Sequence, residues 1–253
     1  MKIQYCSDLH LEFASNSQFL KKNPLVPTGK ILLLAGDITT FSNQGKHDYF
    51  FDYVSKNFKA VYWIPGNHEY YGYDLVDKCG SFCEQIRENI FLLNNEIIHL
   101  DGIELIFSTM WSAISPANHW TVQQSVSDFH VIKYNEQRFN PNHFNQLHEQ
   151  SRDFLRSTLR VVKDRSRTVV VTHHVPTFLN YPPQYAGDPL NEAFGVELFD
   201  LIEEVGPSFW IYGHHHRNIA PFMVGQTCLI TNQLGYVHYN EHKDFNKKSF
   251  IEL

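Results

Sequence analysis

Residues 31–37 read ILLLAGD and residues 60–69 read AVYWIPGNHE, and these two stretches decide the fold. Each begins with a short apolar run, the pattern of a strand that is buried on both faces. Such strands belong to parallel sheets whose two faces are covered by helices. The two stretches therefore predict an α/β fold, and in each the strand gives way to a turn with a glycine and a polar side chain.

The rest of the chain alternates further strand patterns with helical ones. Short apolar runs provide enough strands for two sheets, at residues 2–6, 103–107, 168–172, 208–212, 219–224, 227–231 and 249–253. The last few runs lie close together in the sequence, which favours hairpins. Helical periodicity predicts three helices, at about residues 75–89, 141–163 and 194–205.

The longest helical pattern has a clear start, because Asn140 can cap it and Pro141 suits the first helical position. Its apolar stripe consists of Phe144, Leu147, Phe154, Leu155, Leu159 and Val162. The predicted helix at 75–89 would carry Cys79 and Cys83 on one face. Without a second Cys or His pair nearby, we interpret these as free thiols rather than as a zinc site or a disulfide framework.

Length, composition and charge favour one domain over residues 1–253. A chain of this length with 43% hydrophobic residues can bury a large core, and no flexible or charged linker interrupts it. The net charge of −6 disfavours nucleic acid and anionic membranes as partners. No apolar segment is long enough for a bilayer, and the first strand begins at Lys2 without room for a signal peptide. We therefore expect a cytoplasmic protein.

Polar motifs follow the predicted strands at five places. They are Asp8-Leu9-His10, Gly36-Asp37, Gly66-Asn67-His68-Glu69, His173 and Gly213-His214-His215-His216. Because the carboxyl ends of parallel strands meet at one crevice, residues far apart in sequence can converge there. Carboxylate, amide and imidazole groups in this combination can hold two divalent metal ions, which points to hydrolysis of a phosphoester.

The alternation of side chains narrows which of these residues face the site. In an extended chain Asp8 and His10 point the same way, and so do His214 and His216. The middle histidine of the last motif, His215, is therefore expected to face elsewhere. The same rule allows only one inward imidazole at positions 173–174 and does not choose between them.

The five motifs, in this order and at this spacing, resemble those of the calcineurin-like metallophosphoesterase superfamily, whose pattern is DxH, GD, GNH, H and GHxH. The match extends from residue 8 to residue 216. A single motif is weak evidence, since Gly-Asp and Gly-Asn are frequent turns and three histidines can form an interaction tract. Five motifs in order are specific. The resemblance implies a four-layer α/β/β/α sandwich of two mixed sheets flanked by helices.

The resemblance also implies a role for each motif residue. Asp37 would bridge the two metal ions. The remaining ligands would form two sets, Asp8, His10 and His216 for the first ion and Asn67, His173 and His214 for the second. His68 would not be a ligand. It would donate to the leaving oxygen or steady the phosphoryl oxygens, while a metal-bridging hydroxide attacks phosphorus in line.

The donor types narrow the choice of metal. Oxygen and imidazole ligands without a thiolate suit Mn, Fe, Zn, Co or Ni, and we expect Mn, Fe or Zn. Further side chains should orient the imidazoles, and Glu69 and Asn94 are candidates for this task.

The substrate is indicated mainly by what the motifs lack. Serine/threonine protein phosphatases of the superfamily carry Asp-Arg-Gly from the GD motif onward and an Arg before GNHE, whereas this chain has Ile38-Thr39-Thr40 and Pro65 there. Without the arginine clamp, a phosphodiesterase or a phosphatase on a small, for example nucleotide-derived, substrate is favoured. Such an enzyme would be similar to small bacterial members of the superfamily. A nuclease and a non-catalytic scaffold are the alternatives.

Two segments are expected to shape specificity. Residues 111–140 form an insertion rich in aromatic and amide side chains, and residues 181–188 make a long loop shortly after His173. Candidates for substrate binding are Asn67, His68, Tyr181 and Tyr185. The aromatic rings can stack on a base or simply pack the loops together.

Overall fold

The apolar runs of the chain form two six-stranded sheets in a computed structural model that describes residues 1–253. The strands are β1 (Lys2–Cys6), β2 (Ile31–Ala35), β3 (Ala60–Ile64), β4 (Phe82–Arg87), β5 (Ile90–Asn94), β6 (Glu96–Leu100), β7 (Ile103–Ser108), β8 (Lys133–Tyr134), β9 (Gln137–Arg138), β10 (Thr168–Thr172), β11 (Phe209–Tyr212), β12 (Phe222–Val224), β13 (Thr227–Thr231) and β14 (Phe250–Glu252). The helices are α1 (Ala14–Lys22), α2 (Asp48–Asn57), α3 (His119–Ser125), α4 (Asp128–Val131), α5 (Pro141–Val161) and α6 (Phe199–Val205).

Both sheets are mixed, with a parallel centre and antiparallel edges. The first has the order β14-β1-β2-β3-β5-β4 and is parallel from β1 to β5. The second has the order β12-β13-β11-β10-β7-β6 and is parallel from β13 to β7. The small β8–β9 ribbon stands apart. A parallel centre brings the carboxyl ends of neighbouring strands to one edge of each sheet.

The central strands are buried on both faces, and their side chains alternate between two apolar clusters. Leu33 lies in the cluster between the sheets, together with Phe107 and Val171 from the second sheet. Its neighbours Leu32 and Leu34 point the other way, into a cluster with residues of α1 and α2. A third cluster packs α5 and α6 on the outer face of the second sheet. These layers confirm the predicted α/β/β/α sandwich.

The long helix predicted at 141–163 is confirmed as α5. The side chain of Asn140 accepts hydrogen bonds from the backbone N–H groups of Asn142 and His143, so it caps the first turn as expected. The buried positions of the helix include Phe144, Leu147, Leu155 and Leu159 of the predicted stripe. No helix in the structure is both long enough and apolar enough to cross a membrane.

The predicted helix at 75–89 is wrong. The segment forms a 3₁₀ turn, Leu75–Lys78, followed by the edge strand β4. Gly80 separates the two at a φ of 73°, a conformation that an α-helix cannot include. From Phe82 onward the side chains alternate between half-buried and exposed as far as Ile86, so the period is two and not 3.6. Cys79 and Cys83 therefore do not share a helix face, although both are free thiols.

Three other predicted elements are shorter or paired differently. The α6 helix begins only at Phe199, because Gly195 instead forms a β-bridge with Val175. The strand predicted at 219–224 is reduced to β12, which makes the expected hairpin with β13. The final strand makes no hairpin with them. It crosses to the first sheet and pairs antiparallel with β1.

The segment at 111–140 forms α3, α4 and the β8–β9 ribbon. Its large side chains pack in a fourth apolar cluster with the start of α5, and the members include Trp111, Phe129, Phe139 and Phe144. The aromatic residues of this segment are thus mainly packing residues.

The interface between the sheets should dominate the free energy of unfolding. We expect Leu33→Ala to lower it by about 2–5 kcal/mol, because the substitution leaves a cavity between two layers that cannot collapse onto it. Urea unfolding followed by far-UV circular dichroism measures the change. The matched control Leu179→Ala, at a leucine that is 42% exposed, should cost well under 1 kcal/mol. Equal losses in the two variants would contradict the assignment of the core.

Candidate metal centre

The polar motifs meet where the parallel strands of the two sheets end. Asp8, Asp37 and Asn67 follow β1, β2 and β3 of the first sheet, while His173 and His214 follow β10 and β11 of the second. All five side chains are buried. Two hydrogen bonds connect the sheets here. The Nδ1–H of His173 donates to the carbonyl oxygen of Ala35 at 2.9 Å, and the backbone N–H of His214 donates to Asp8 Oδ1 at 3.0 Å.

The backbone of these motifs is not extended. A left-handed conformation, with φ between 46° and 80°, is adopted by Asp8, His10, Asp37, His214 and His216. Non-glycine residues adopt this conformation at a cost in free energy, and it concentrates at functional sites. The expected grouping of side chains is nevertheless seen, with His215 facing away from the other two histidines of its motif. The orientation of these side chains results from sharp left-handed turns. It does not result from the alternation of side chains along an extended strand, as the sequence had suggested.

Glycines precede the polar residues because there is no space for a Cβ atom. A Cβ on Gly213 would lie 2.6 Å from Asp8 Oδ2. A Cβ on Gly66 would overlap both Asp37 Oδ1 and the imidazole of His173. The glycines of the GNH and GHxH motifs are therefore needed for close approach of the two sheets' loops.

The first candidate metal group consists of Asp8, His10, Asp37 and His216. The Nε2 atoms of His10 and His216 face each other at 2.9 Å. The opposite nitrogen of each ring, Nδ1, donates to a carboxylate, Glu12 for His10 and Glu241 for His216. In neutral imidazoles both Nε2 atoms are therefore lone-pair acceptors, which cannot bond to each other. Together with the two carboxylates beside them, these two nitrogen atoms provide the ligand atoms of a cation site.

The second candidate group consists of Asp37, His173 and His214. His173 Nε2 lies 3.1 Å from His214 Nδ1 and 3.2 Å from Asn67 Oδ1. The other nitrogens of the two rings face backbone carbonyl oxygens, which only accept. Asn67 presents its oxygen because its Nδ2 donates to Asp128 at 2.8 Å. Acceptor atoms thus converge here as well, and Asp37 belongs to both groups, as a bridging carboxylate would.

In the metal-free chain, protons take the place of cations in these groups. Burial is the largest single effect and acts to lower the pKa of His173, but the charge and hydrogen bond of Asp37 together with the charge of Asp8 raise the pKa to about 9. Burial likewise opposes the charge on His216, yet hydrogen bonds to Asp8 and Glu241 raise its pKa to about 10. Both histidines must lose a proton before they bind a metal ion, so metal binding is coupled to proton release.

His68 lies beside the first group and is held on three sides. Its Nδ1 donates to Glu12 at 2.9 Å, and its ring stacks on Tyr71 with a centroid distance of 4.0 Å. Its Nε2 lies 3.2 Å from the hydroxyl of Tyr236. Burial acts to lower the pKa of His68, but the charges of Asp37 and Glu12 outweigh burial and raise it. The imidazole therefore carries a proton more readily than an ordinary histidine.

The two remaining histidines of the motifs lie outside both groups. His174 is fully buried against Trp111, with a ring centroid distance of 5.2 Å, and burial holds its pKa well below the usual value. His215 pairs with Gln233, and burial lowers its pKa to about 4. Of the two alternatives at 173–174, His173 is the residue that faces the candidate centre.

Glu69 and Asn94 do not orient the imidazoles. The carboxylate of Glu69 accepts hydrogen bonds from the backbone N–H groups of Asp37, Ile38 and Gly66 and from Trp63 Nε1. It therefore joins the GD turn to the GNH turn. Asn94 accepts from the backbone of Thr109, away from the histidines. Neither residue contacts an imidazole because both point into the backbone of the turns.

The imidazoles are oriented instead by acidic residues that the sequence did not single out. Glu12 contacts His10 and His68, and Glu241 contacts His216. Burial acts to raise the pKa of Glu12, but hydrogen bonds from His10 and His68 lower it to about 2. Glu12 had a signal in the sequence, since it lies two residues after His10. Glu241 had none, because only the tertiary structure brings it near.

A cavity of about 290 Å³ opens over the candidate centre. Its walls include Asn67, His68 and Tyr185 of the four predicted substrate-binding residues, whereas Tyr181 lines a neighbouring cavity. Residues 125–128 of the segment at 111–140 and Tyr236 complete the wall. No lysine or arginine lines it, while Asp128 and Glu241 do.

A two-sheet α/β fold with clustered histidines and aspartates at the strand ends defines the class of metal-dependent phosphoesterases. Residues 1–218 match the family model described as calcineurin-like phosphoesterase, and the chain belongs to this family. It is 32% identical to an uncharacterized protein of Acanthamoeba polyphaga mimivirus, over 99% of this chain and 96% of that protein. Among solved structures it is similar to the phosphopantetheinyl hydrolase PptH of Mycobacterium tuberculosis, with a TM-score of 0.72 and 17% identity over 99% of this chain and 95% of that one.

The buried carboxylate of Glu69 should be essential to the turns that carry Asp37 and Asn67. We expect Glu69→Ala to lower the free energy of unfolding of the metal-free chain by about 3 kcal/mol or more, because several buried donors lose their acceptor. Urea titration measures the loss. Glu149→Ala, an exposed glutamate on α5, is the control and should change stability by about 0.5 kcal/mol at most. A loss below 1 kcal/mol in Glu69→Ala would show that the turns hold without it.

Proposed function

We propose that this chain is a dimetal phosphodiester hydrolase that acts on a small substrate. The observation that carries the proposal is the pair of acceptor groups that share Asp37, since nitrogen and oxygen lone pairs converge in both without a donor between them. A buried arrangement of this kind is unfavourable unless a cation or a proton occupies it. A scaffold without catalytic activity has no need of such an arrangement.

Each proposed ligand set draws on both sheets. Asp8, His10 and His216 hold the first ion, and Asn67, His173 and His214 hold the second, with Asp37 in common. The donors suit Mn, Fe or Zn. When bound, the two ions supply an activated water for attack on phosphorus and neutralise the charge of the phosphoryl oxygens. Glu12, Glu241 and the backbone carbonyl groups accept from the opposite ring nitrogens, so in the neutral imidazoles the nitrogens that face the ions would present their lone pairs.

His68 is the proposed proton donor to the leaving oxygen. Its Nδ1 is engaged by Glu12, so its Nε2 is the atom left to face a substrate, at the wall of the cavity beside Tyr236. The charges of Asp37 and Glu12 raise the pKa of His68, which favours the protonated form that a general acid needs. Stacking on Tyr71 holds the ring plane in place. A positioned general acid of this kind contributes about 10²–10⁴ to the rate.

The charge of the cavity favours a diester over a monoester. A monoester dianion is usually clamped by arginine, and no lysine or arginine lines this cavity. Asp128 and Glu241 lie in its wall, so the protein offers no cationic side chain there to the further phosphates of a polynucleotide. The absence of lysine and arginine from the cavity wall, together with the net charge of −6, weighs against a nuclease.

A phosphopantetheinyl ester is a second candidate substrate, suggested by the name of the mycobacterial hydrolase that shares the fold. The observation in its favour is the uncharged part of the wall, formed by Val126, Leu190 and Phe194, which suits a neutral organic group. Hydrolysis of a phosphopantetheinyl diester in the presence of Mn²⁺ tests this candidate directly.

Hydrolysis should depend in different ways on Asp37, the proposed bridging ligand, and on His68, the proposed acid. With Mn²⁺ and bis(p-nitrophenyl) phosphate, we expect Asp37→Asn to lose metal and activity together. His68→Ala should keep its metal and lose activity by about 10²–10⁴. Release of p-nitrophenolate gives the rate, and elemental analysis gives the metal content. The control His238→Ala, at an exposed histidine, should match the unmodified chain. No turnover with any divalent metal would refute the proposal.

The pH profile should report the link between Glu12 and His68. Glu12 raises the pKa of His68, so Glu12→Gln should lower that pKa and shift the alkaline limb of kcat/KM to lower pH. The alkaline limb moves to lower pH because the protonated form of His68 is the active one, and a lower pKa means that this form is lost earlier as the pH rises. Glu149→Gln serves as the control. An unchanged limb in Glu12→Gln would mean that another group is the acid.

A further inference from the structure

Asp128 is a buried carboxylate that none of the proposed steps at the metal centre uses. It is the first residue of α4, in the segment at 111–140. The residue is only 1% exposed, although it belongs to the wall of the cavity over the candidate centre. It forms no ion pair with a lysine, an arginine or a histidine. A buried carboxylate without a cationic partner is unfavourable for stability, so its presence calls for another role.

A single oxygen of this carboxylate receives both of its side-chain hydrogen bonds. The amide nitrogen of Asn67 donates to Asp128 Oδ1 at 2.8 Å, and the hydroxyl of Tyr71 donates to the same atom, also at 2.8 Å. The other oxygen, Oδ2, has no hydrogen-bond partner in the protein. The carboxylate is therefore joined to the site through two side chains, one of which is a proposed metal ligand.

The hydrogen bond from Asn67 decides which end of its amide faces the second candidate metal group. A carboxylate accepts hydrogen bonds and an amide NH₂ group donates them, so the NH₂ end is held at Asp128. The amide oxygen consequently lies on the opposite side, 3.2 Å from His173 Nε2. A half-turn of the amide would present the NH₂ group there instead, and that group has no lone pair to offer a cation. Asp128 opposes this half-turn.

The hydrogen bond from Tyr71 connects the same carboxylate to the proposed acid. The ring of Tyr71 stacks on His68 with a centroid distance of 4.0 Å and an angle of 25° between the ring planes. The hydroxyl at the end of the ring is fixed on Asp128, so the ring cannot tilt without losing this hydrogen bond. Asp128 thus restrains the surface on which His68 packs.

Asp128 is itself held in place by the aromatic packing of its segment. The next residue, Phe129, is fully buried and stacks on Phe139 with a centroid distance of 5.5 Å. The carbonyl oxygen of Phe129 accepts a hydrogen bond from Arg138 Nε at 2.6 Å. Because close-packed aromatic clusters resist deformation, the carboxylate is presented to the site from a rigid support.

We propose that Asp128 is a positioning residue for both halves of the site, an inference that rests on the hydrolase function proposed above. Through Asn67 it directs an amide oxygen to the second metal ion. Through Tyr71 it fixes the plane of the His68 ring. The segment at 111–140 therefore takes part in assembling the metal centre, in addition to forming a wall of the cavity.

Metal binding tests the contact with Asn67 without turnover. We expect the unmodified chain to bind two Mn²⁺ ions, counted by electron paramagnetic resonance of the free ion. Asp128→Ala should weaken one ion by about 10- to 100-fold, the usual effect of removing a group that orients a ligand, and change the other by about threefold at most. The matched control Asp153→Ala, at a side chain that is 71% exposed, should bind both ions normally. Unchanged binding in Asp128→Ala, or equal weakening of both ions, would overturn the assignment.

Asp128→Asn separates the effect of orientation from the effect of charge. Its amide oxygen can still accept from Asn67 and Tyr71, whereas the negative charge is lost. We expect this variant to recover most of the affinity that Asp128→Ala loses. Equal losses in the two variants would show that the charge matters and would refute the positioning role.

A second ligand variant identifies the ion that depends on Asp128. In a His214→Ala background the second ligand set is already incomplete, so Asp128→Ala should weaken the binding of the remaining ion no further. In a His216→Ala background, where the first set is incomplete, Asp128→Ala should still weaken binding by about 10- to 100-fold. The reverse pattern would contradict the assignment of Asp128 to the ion held by Asn67.

The side-chain amide of Asn67 reports its own hydrogen bond directly. In ¹H–¹⁵N spectra of the metal-free chain, one amide proton of Asn67 should resonate at low field because it is bonded to a carboxylate. The signal should move upfield in Asp128→Ala. If the unmodified chain shows no low-field proton at Asn67, the contact is contradicted, even if Asp128→Ala does not fold.

Kinetics test the contact with Tyr71 and separate this proposal from the hydrolase function. Tyr71→Phe keeps the ring on His68 but removes the hydroxyl. With saturating Mn²⁺ and bis(p-nitrophenyl) phosphate, we expect its kcat to fall by about two- to tenfold, the effect of one lost hydrogen bond, without a change in metal affinity. An unchanged kcat refutes the link through Tyr71 and leaves the hydrolase function standing. If the unmodified chain neither binds two ions nor turns over, the hydrolase function fails and this proposal with it.

Discussion

The packing of the two sheets is the constraint on which the site depends, because each sheet supplies only part of it. Strands β1, β2 and β3 end at Asp8, Asp37 and Asn67, while β10 and β11 end at His173 and His214. The apolar cluster between the sheets sets the distance across which these side chains meet. Since protein interiors are close-packed and resist deformation, the metal-facing atoms are held in position by the sandwich more than by their own loops.

The tight fit explains the unusual backbone around the site. Left-handed turns and glycines allow the loops of opposite sheets to approach until Asp37 faces histidines from both. The strain of these turns is offset elsewhere, for example by Glu69, which accepts three hydrogen bonds from the surrounding turns and a fourth from the side chain of Trp63. A layer of acidic and amide groups behind the imidazoles then selects which ring nitrogen carries a proton. The lone pairs of the proposed metal ligands follow from that selection.

Most of the fold was predictable because its signals are local. Five-residue apolar runs such as Ile31–Ala35 can be buried only as central strands, and Asn140 with Pro141 marks the start of α5. The segment after Leu75 was misread because an edge strand with mixed polarity lacks the continuous apolar run of a central one. The final strand, β14, was expected to form a hairpin with its neighbours in the sequence. Proximity in the sequence does not decide pairing, and β14 instead pairs with β1 at the edge of the first sheet.

The sequence by itself determined the motif residues, their order and the places where strands end, since these depend on residue type and short-range spacing. The family, the sandwich fold and the set of converging side chains all follow from the sequence. The tertiary structure alone decided how that set is used. It brought Glu241 to His216 and Asp128 to Asn67. Such contacts join residues distant in sequence, and no local pattern encodes a hydrogen bond that only chain packing creates.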